Sequence, residues 1–223
     1  SFPTRRSSDL PSILSADFAQ LGKEVEDVIN SGADWIHFDV MDNHYVPNLT
    51  VGPMVCKSLR EYGIKDFIDV HLMVEPVDEL VEMFAKAGAD LISFHPSATN
   101  NISETIKLIK KHGCKAGMAI NPPETSDIAK EYLNELDLVL LMSVNPGFGG
   151  QKFIEDVLEK IKDMRAYMDK NESAARLEVD GGINAENIKD VSDAGADTFV
   201  LGSAIFNTDD YQNTISTLRN NIS

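Results

Sequence analysis

Cysteine, cationic charge and long apolar runs are what this chain lacks, and each absence excludes a class of protein. Cys56 and Cys114 are the only cysteines, and neither sits in a C-x-x-C pair, so a disulfide framework is excluded. A reducing, cytoplasmic setting is the simplest expectation. No run of 18 apolar residues exists, which excludes a transmembrane helix. Only 20 Lys and Arg stand against 36 Asp and Glu, a net charge of −16. Such a polyanion has no electrostatic reason to bind nucleic acid or an anionic membrane surface. Also missing is a G-x-G-x-x-G after the first strand, the mark of an open dinucleotide-binding sheet.

What remains is enough for one large domain. At 223 residues with 43% hydrophobic content, the chain can build a sizeable core. Ser1 to Asp9 has no initiator Met, no apolar core and no cleavage-site pattern, so it does not read as a signal peptide. Residues 1–9 are taken as a non-native segment and the fold is expected over 10–223.

A short pattern recurs: Gly32-Ala33-Asp34, Gly88-Ala89-Asp90 and Gly195-Ala196-Asp197. Each follows a helical pattern and precedes a β-branched, apolar run, which places Gly at a helix C-terminus where a left-handed residue is needed. The copies lie 56 and 107 residues apart, and Glu135-Leu136-Asp137 fills the gap. A period near 55 is two strand–helix units, hence eight strands. Strands are predicted at Leu10–Leu14, Phe67–Val74, Lys115–Asn121 and Arg176–Asp180, between the repeat-led ones. Helices are predicted at Asp17–Ser31, Val51–Tyr62, Pro76–Ala87, Asn101–His112, Pro123–Leu133, Phe153–Asp169, Asn184–Ala194 and Asp209–Asn220, Pro76 and Pro123 opening theirs. Strands apolar on both faces imply a parallel sheet, and eight such units close as a single (β/α)8 TIM barrel.

Chemistry in this architecture sits at the C-terminal strand ends. The polar residues there include Ser12, His37, Asp39, His71, His95, Asn121, Asn145 and Asp180, with three of the chain's five histidines. His37 and Asp39, at i and i+2, share one face of a strand. With His71 and Asp180 they form a mixed nitrogen and oxygen set suited to one divalent ion, Zn²⁺, Fe²⁺, Mn²⁺ or Co²⁺. Gly147, Phe148, Gly149 and Gly150 after strand six, Gly181 and Gly182 after strand seven, and Gly202 and Ser203 after strand eight suit a phosphate. Glycines let backbone N–H groups approach an anion, and the first of these loops is expected to lead straight into a helix. Met41, Met73 and Met142 near strand ends read as core filler or as an apolar collar around a reactive intermediate. His95 reads as pocket wall or as an ordinary interior histidine.

Several runs resemble one family: Pro11 to Asp17, His37 to Asp42, Val46-Pro47-Asn48, Asp69 to Val74, Asn145 to Gln151 and Glu178 to Gly182 are similar to ribulose-phosphate 3-epimerases. The similarity runs from Leu10 to the C-terminus. It departs at Asp42-Asn43-His44-Tyr45, where many members have Asp-Gly-His-Phe, and at Ser97, where an acidic residue is usual. The resemblance implies a divalent ion held by His37, Asp39, His71 and Asp180, with Asp39 and Asp180 as acid/base pair. It also implies that Ser12 and His71 touch the substrate, a phosphorylated ketose of the pentose phosphate pathway. A homo-oligomer is expected.

The residues support the same chemistry directly. Removing the proton beside a ketone leaves an enediolate that a Lewis acid stabilises. Inverting that carbon needs a second group on the other face, a role for two carboxylates held in opposite protonation states. The nearest rival reading is the same reaction on a hexulose 6-phosphate such as allulose 6-phosphate. A related phosphate-barrel lyase or decarboxylase needs a Lys where Met41 stands, and a non-catalytic barrel is expected to have lost Asp39 or Asp180.

Overall fold

The computed structural model describes residues 7–222. Eight parallel strands form one sheet: β1 (Ser8–Pro11), β2 (Trp35–Met41), β3 (Phe67–Met73), β4 (Leu91–Phe94), β5 (Lys115–Ile120), β6 (Leu138–Met142), β7 (Arg176–Asp180) and β8 (Thr198–Leu201). Their order, β1-β8-β7-β6-β5-β4-β3-β2, is the order of a barrel. A parallel bridge between Ser12 and His37 and a hydrogen bond from Asp34 N to Asp9 O (3.2 Å) join β1 to β2 and close it. The chain is a single (β/α)8 barrel.

The helices are α1 (Leu21–Asn30), α2 (Pro53–Tyr62), α3 (Asp78–Ala87), α4 (Ile102–Lys111), α5 (Asp127–Glu131), α6 (Val157–Lys170), α7 (Ile188–Asp193), α8 (Ser203–Phe206) and α9 (Tyr211–Asn221). The longer helices bury residues at helical spacing, such as Val81, Phe84 and Ala87 on α3. Side chains alternate along each strand, so one set packs against this helical shell and the other fills the barrel. The outward set is apolar: Ile36, Phe38 and Val40 on β2, Ile68, Val70 and Leu72 on β3. The inward set is not. His37, Asp39, Asp69, His71, Ser93 and Glu178 are all buried inside, against an expectation of strands apolar on both faces. Leu10, Trp35, Leu91, Ala119, Leu138, Leu140, Met142, Val144 and Val200 give the interior an apolar lining, with Met41 and Met73 above.

The Gly-Ala-Asp repeat is a clamp at the N-terminal end of the barrel. Asp90 N donates to Ile68 O (2.9 Å), while Asp90 Oδ2 accepts from Ile68 N (2.8 Å) and from Arg60 Nη2 (2.6 Å). Arg60 on α2 also donates to Gly88 O, capping α3. Arg165 on α6 does the same for Gly195 O and Asp197, and Arg219 on α9 for Gly32 O and Asp34. At the fourth copy Asp137 Oδ2 accepts from Ala116 N (2.9 Å), and the cations are the more distant Lys110 and Lys115. Gly88 needs its φ of +107°, a left-handed cap that only Gly adopts at no cost.

Several predicted boundaries move. Ser8 and Asp9, set aside as foreign, begin β1 and pair with Thr198 and Phe199; the buried Asp9 carboxylate accepts from Arg219 Nε (2.6 Å). Residues 1–6 lie outside the described residues. The first strand ends at Pro11 rather than Leu14, because Ile13–Ser15 coils into a 3-10 turn capped by the Ser12 hydroxyl. Pro76 follows a cis peptide bond and precedes α3 instead of opening it. Pro123 lies in a turn, and only Asp127–Glu131 is helical after it. The short helix α8 was not foreseen.

Candidate active and metal-binding site

Parallel register brings the polar strand ends level. His37 pairs with Asp69, Asp39 with His71, Met41 with Met73, and on the other side Met142 with Asp180. Each of these inward positions is two residues from the next, so the interior is stacked in layers. Asp69 and His37 form a lower layer, Asp39, His71 and Asp180 the next, and Met41 and Met73 close above them.

His37, Asp39, His71 and Asp180 meet, their donor atoms all within 4.8 Å of one another. His37 Nε2 is 3.3 Å and His71 Nδ1 3.4 Å from Asp39 Oδ1, and His71 Nδ1 is 4.0 Å from Asp180 Oδ2. Ligands about 2.0–2.2 Å from a tetrahedral ion stand about 3.3–3.6 Å apart, so the donor set fits a divalent cation in spacing as well as type. The Ser12 hydroxyl donates to Asp39 Oδ2.

The electrostatics of the two aspartates diverge. Burial alone raises a carboxyl pKa, but the charge and hydrogen bonds of His37, with those of His71, hold Asp39 far below the usual range. Asp180 has no such bond; burial and the Asp39 charge push it up to about 8. Burial opposes a charge on His37, yet Asp39 and Asp69 raise its pKa well above the ordinary value. Burial lowers His71, and lowers His95 further with help from the His71 charge.

Beside this cluster opens a cavity at the mouth of the barrel. Gly147, Phe148, Gly149, Gly150, Gly181, Gly182, Gly202 and Ser203 all line it, together with Ser12, Asp39, Asp180 and the three methionines Met41, Met73 and Met142. No Lys or Arg does. At Gly182, with φ of +68°, a Cβ would lie 2.3 Å from Phe153 N, so only Gly lets the loop after β7 pack against the loop after β6. The latter loop does not lead straight into a helix, since α6 begins only at Val157. Any anion there would meet loop amides rather than the α6 N-terminus. Asn145 is exposed, and the side chain of Asn121 donates to Tyr45 Oη (3.1 Å) rather than reaching the cluster.

His95 does not line this cavity. It lies behind His71, Nε2 to Nε2 at 2.8 Å, with the Tyr45 ring 5.0 Å from its own. Sequence reasoning passed over Asp69 and Glu178, which flank the buried Nδ1 of His37 at 2.6 and 3.6 Å. Their position two residues before His71 and Asp180 was the available signal. It also passed over Thr50, which accepts from Met41 N and donates to Asp39 O, and Asn48, whose Nδ2 donates to Gly147 O across the mouth (2.7 Å).

The comparisons with known proteins agree with one another. The model of the ribulose-phosphate 3-epimerase family matches residues 10–206. The chain is 57% identical over 202 residues to a ribulose-phosphate 3-epimerase of Serratia marcescens, covering 91% of this chain and 96% of that one. It is 54% identical over 212 residues to the enzyme of the same name from Escherichia coli K12, covering 95% and 94%. Among solved structures, a 3-keto-L-gulonate-6-phosphate decarboxylase from Vibrio cholerae superposes with a TM-score of 0.70 at 17% identity, covering 98% of both chains. A 3-hexulose-6-phosphate synthase from Salmonella typhimurium does so at 0.69 and 18%, covering 97% and 98%. At that identity the structures share the fold alone. No helix among the described residues is long and apolar enough to cross a membrane.

Proposed function

The chain belongs to the ribulose-phosphate 3-epimerase family and is an isomerase of that kind, and we propose that it inverts C3 of a pentulose 5-phosphate by passing a proton between Asp39 and Asp180. The observation that carries this reading is the meeting of two carboxylates, Asp39 and Asp180, at the floor of one cavity, within 4.8 Å of each other and of two imidazoles. Asp39, held ionised, takes the C3 proton, and the C–H electron pair moves onto the C2 carbonyl as an enediolate. Asp180, held protonated, returns a proton to the opposite face, and the two carboxyls then have exchanged states. Ser12, donating to Asp39, fixes which carboxylate oxygen faces the substrate. Each acid/base partner contributes roughly 10²–10⁴ in rate.

A divalent ion on His37, Asp39, His71 and Asp180 would supply Lewis-acid stabilisation of the enediolate charge. Zn²⁺, Fe²⁺, Mn²⁺ and Co²⁺ all suit two imidazoles and two carboxylates. The glycine loops after β6, β7 and β8 offer directed backbone amides to the substrate phosphate, which a protein of −16 net charge must attract locally. Met41, Met73 and Met142 exclude water from the reacting carbon. The setting of this reading is the cytoplasm and the pentose phosphate pathway, with a homo-oligomeric enzyme.

The test is a coupled assay on D-ribulose 5-phosphate and on allulose 6-phosphate, run in D₂O. Product pentulose should carry deuterium at C3 while early recovered substrate carries little, and the hexulose should turn over far more slowly. Product without C3 deuterium refutes the two-base transfer, and faster hexulose turnover refutes the substrate.

A further inference from the structure

A histidine offers a metal one nitrogen only, and the partner of the other nitrogen decides which. The two candidate ligand histidines make opposite choices here. His37 turns Nε2 toward Asp39 and buries Nδ1 against Asp69 Oδ2 at 2.6 Å. His71 turns Nδ1 toward Asp39 and Asp180 and meets His95 Nε2 through its own Nε2 at 2.8 Å. His37, Asp69, His71 and His95 are each fully buried, so water cannot take over either role.

We propose that Asp69 and His95 are positioning residues that set the two tautomers, Asp69 making His37 offer Nε2 and His95 making His71 offer Nδ1. The inference rests on the metal reading above. Asp69 Oδ2 stands 2.6 Å from His37 Nδ1, and a carboxylate oxygen accepts, so that nitrogen carries the proton and Nε2 keeps its lone pair. Between His71 and His95 two nitrogens share one proton. If His71 Nδ1 is to bind a cation, its Nε2 must donate and His95 Nε2 must accept. The proton of a neutral His95 then sits on Nδ1, an atom with no hydrogen-bond partner. A charged His95 would set N–H against N–H. The unpartnered Nδ1 of His95 is the cost of holding His71 in register.

Two measurements test this. Long-range ¹H–¹⁵N spectra of the zinc-loaded wild-type protein should show the imidazole proton of His37 on Nδ1 and that of His71 on Nε2. Chelator competition for Zn²⁺ should show affinity falling roughly 10- to 100-fold in Asp69→Asn and in His95→Leu. His95→Gln, which retains an acceptor, should stay within about threefold of wild type, a rescue that a merely space-filling role would not produce. Metallation of His37 through Nδ1 overturns the proposal whatever the variants do. A folded Asp69→Asn or His95→Leu protein with wild-type affinity removes that residue from it. Failure of the wild-type protein to bind Zn²⁺ refutes the metal reading itself, an outcome distinct from wild-type binding that the variants leave unchanged.

Discussion

The two ends of the barrel use the same residue types in opposite ways. At the N-terminal end Asp34, Asp90 and Asp197 each face a guanidinium at 2.6–2.7 Å and a backbone N–H of the preceding strand pair. Each of these three carboxylates is paired where it stands. At the C-terminal end Asp39, Asp69, Glu178 and Asp180 face imidazoles and one another, and the cavity lining holds no Lys or Arg. Asp69 Oδ1 and both Glu178 carboxylate oxygens have no hydrogen-bond partner. Burial, with the neighbouring Asp69, pushes the Glu178 pKa well up. A satisfied cluster holds the fold together; an under-satisfied one is ready to take up a proton or a cation. The comparison teaches that one chain can spend its charged residues on stability at one end and on reactivity at the other.

That contrast breaks most visibly in rate. Asp180→Asn should slow epimerisation by roughly 10²–10⁴, while leaving the metal-free protein as stable or more so, because a crowded buried carboxylate is gone. A variant that keeps its metal and stays within about tenfold of wild type, a barrier change of only ~1.4 kcal/mol, would remove Asp180 from the acid/base pair. Metal content has to be measured alongside, since Asn is a poorer ligand.

The converse experiment is Arg165→Ala at the other end. Arg165 donates to Gly195 O and Asp197 at 2.7 Å with its side chain largely buried. Its loss should cost about 2–3 kcal/mol in denaturant unfolding, with kcat/KM unchanged within about threefold. Equal losses of stability and activity would mean the two ends are not separable.

Gly149→Asp sharpens the division within the upper end. A Cβ at Gly149 would meet nothing closer than Leu14 Cδ2 at 3.8 Å, so the fold should tolerate it. The new carboxylate should raise KM for the phosphorylated sugar tenfold or more, about 1.4 kcal/mol, with the metal still bound. An unchanged KM would place the phosphate elsewhere.

The smallest effect is on pH dependence. In metal-free protein the Asp180 pKa of about 8 lies above its ordinary 3.8, so its stabilising contribution is complete at low pH and lost as pH rises toward 8. His37, also raised, acts in the same direction. His71 and His95 are lowered from 6.5, so above that value they no longer oppose it. Unfolding free energy of the chelator-treated protein should fall by on the order of 1 kcal/mol between pH 6.5 and 8. The Asp180→Asn protein should show a flatter slope, and a wild-type slope of the opposite sign would contradict the assignment.

Much of this is legible in the sequence. The 55-residue period is local, carried by glycines at helix ends and β-branched runs, and it implied eight units. The i, i+2 spacing of His37 and Asp39 put both on one face of a strand, and Glu178 and Asp180 obey the same rule unnoticed. Less was legible where partners are remote. The Arg60, Arg165 and Arg219 clamps lie 28, 30 and 187 residues from the glycine carbonyls they cap. Ser8 and Asp9 read as foreign because nothing local marks them as strand; only their pairing with β8 does.

By itself, then, the sequence determined the alternation of strand and helix, the face on which each polar strand-end residue lies, and the residues able to move a proton or hold an ion. These follow from backbone periodicity and side-chain chemistry, which act within a few residues. Tertiary structure alone decided that β2, β3 and β7 bring four donor atoms within 4.8 Å, that His95 stands behind His71 instead of in the cavity, and that Asp39 and Asp180 hold protons so differently. Those depend on how a closed barrel sets its strands in register and on burial shared among side chains far apart in the chain, and neither distance nor desolvation is written in local spacing.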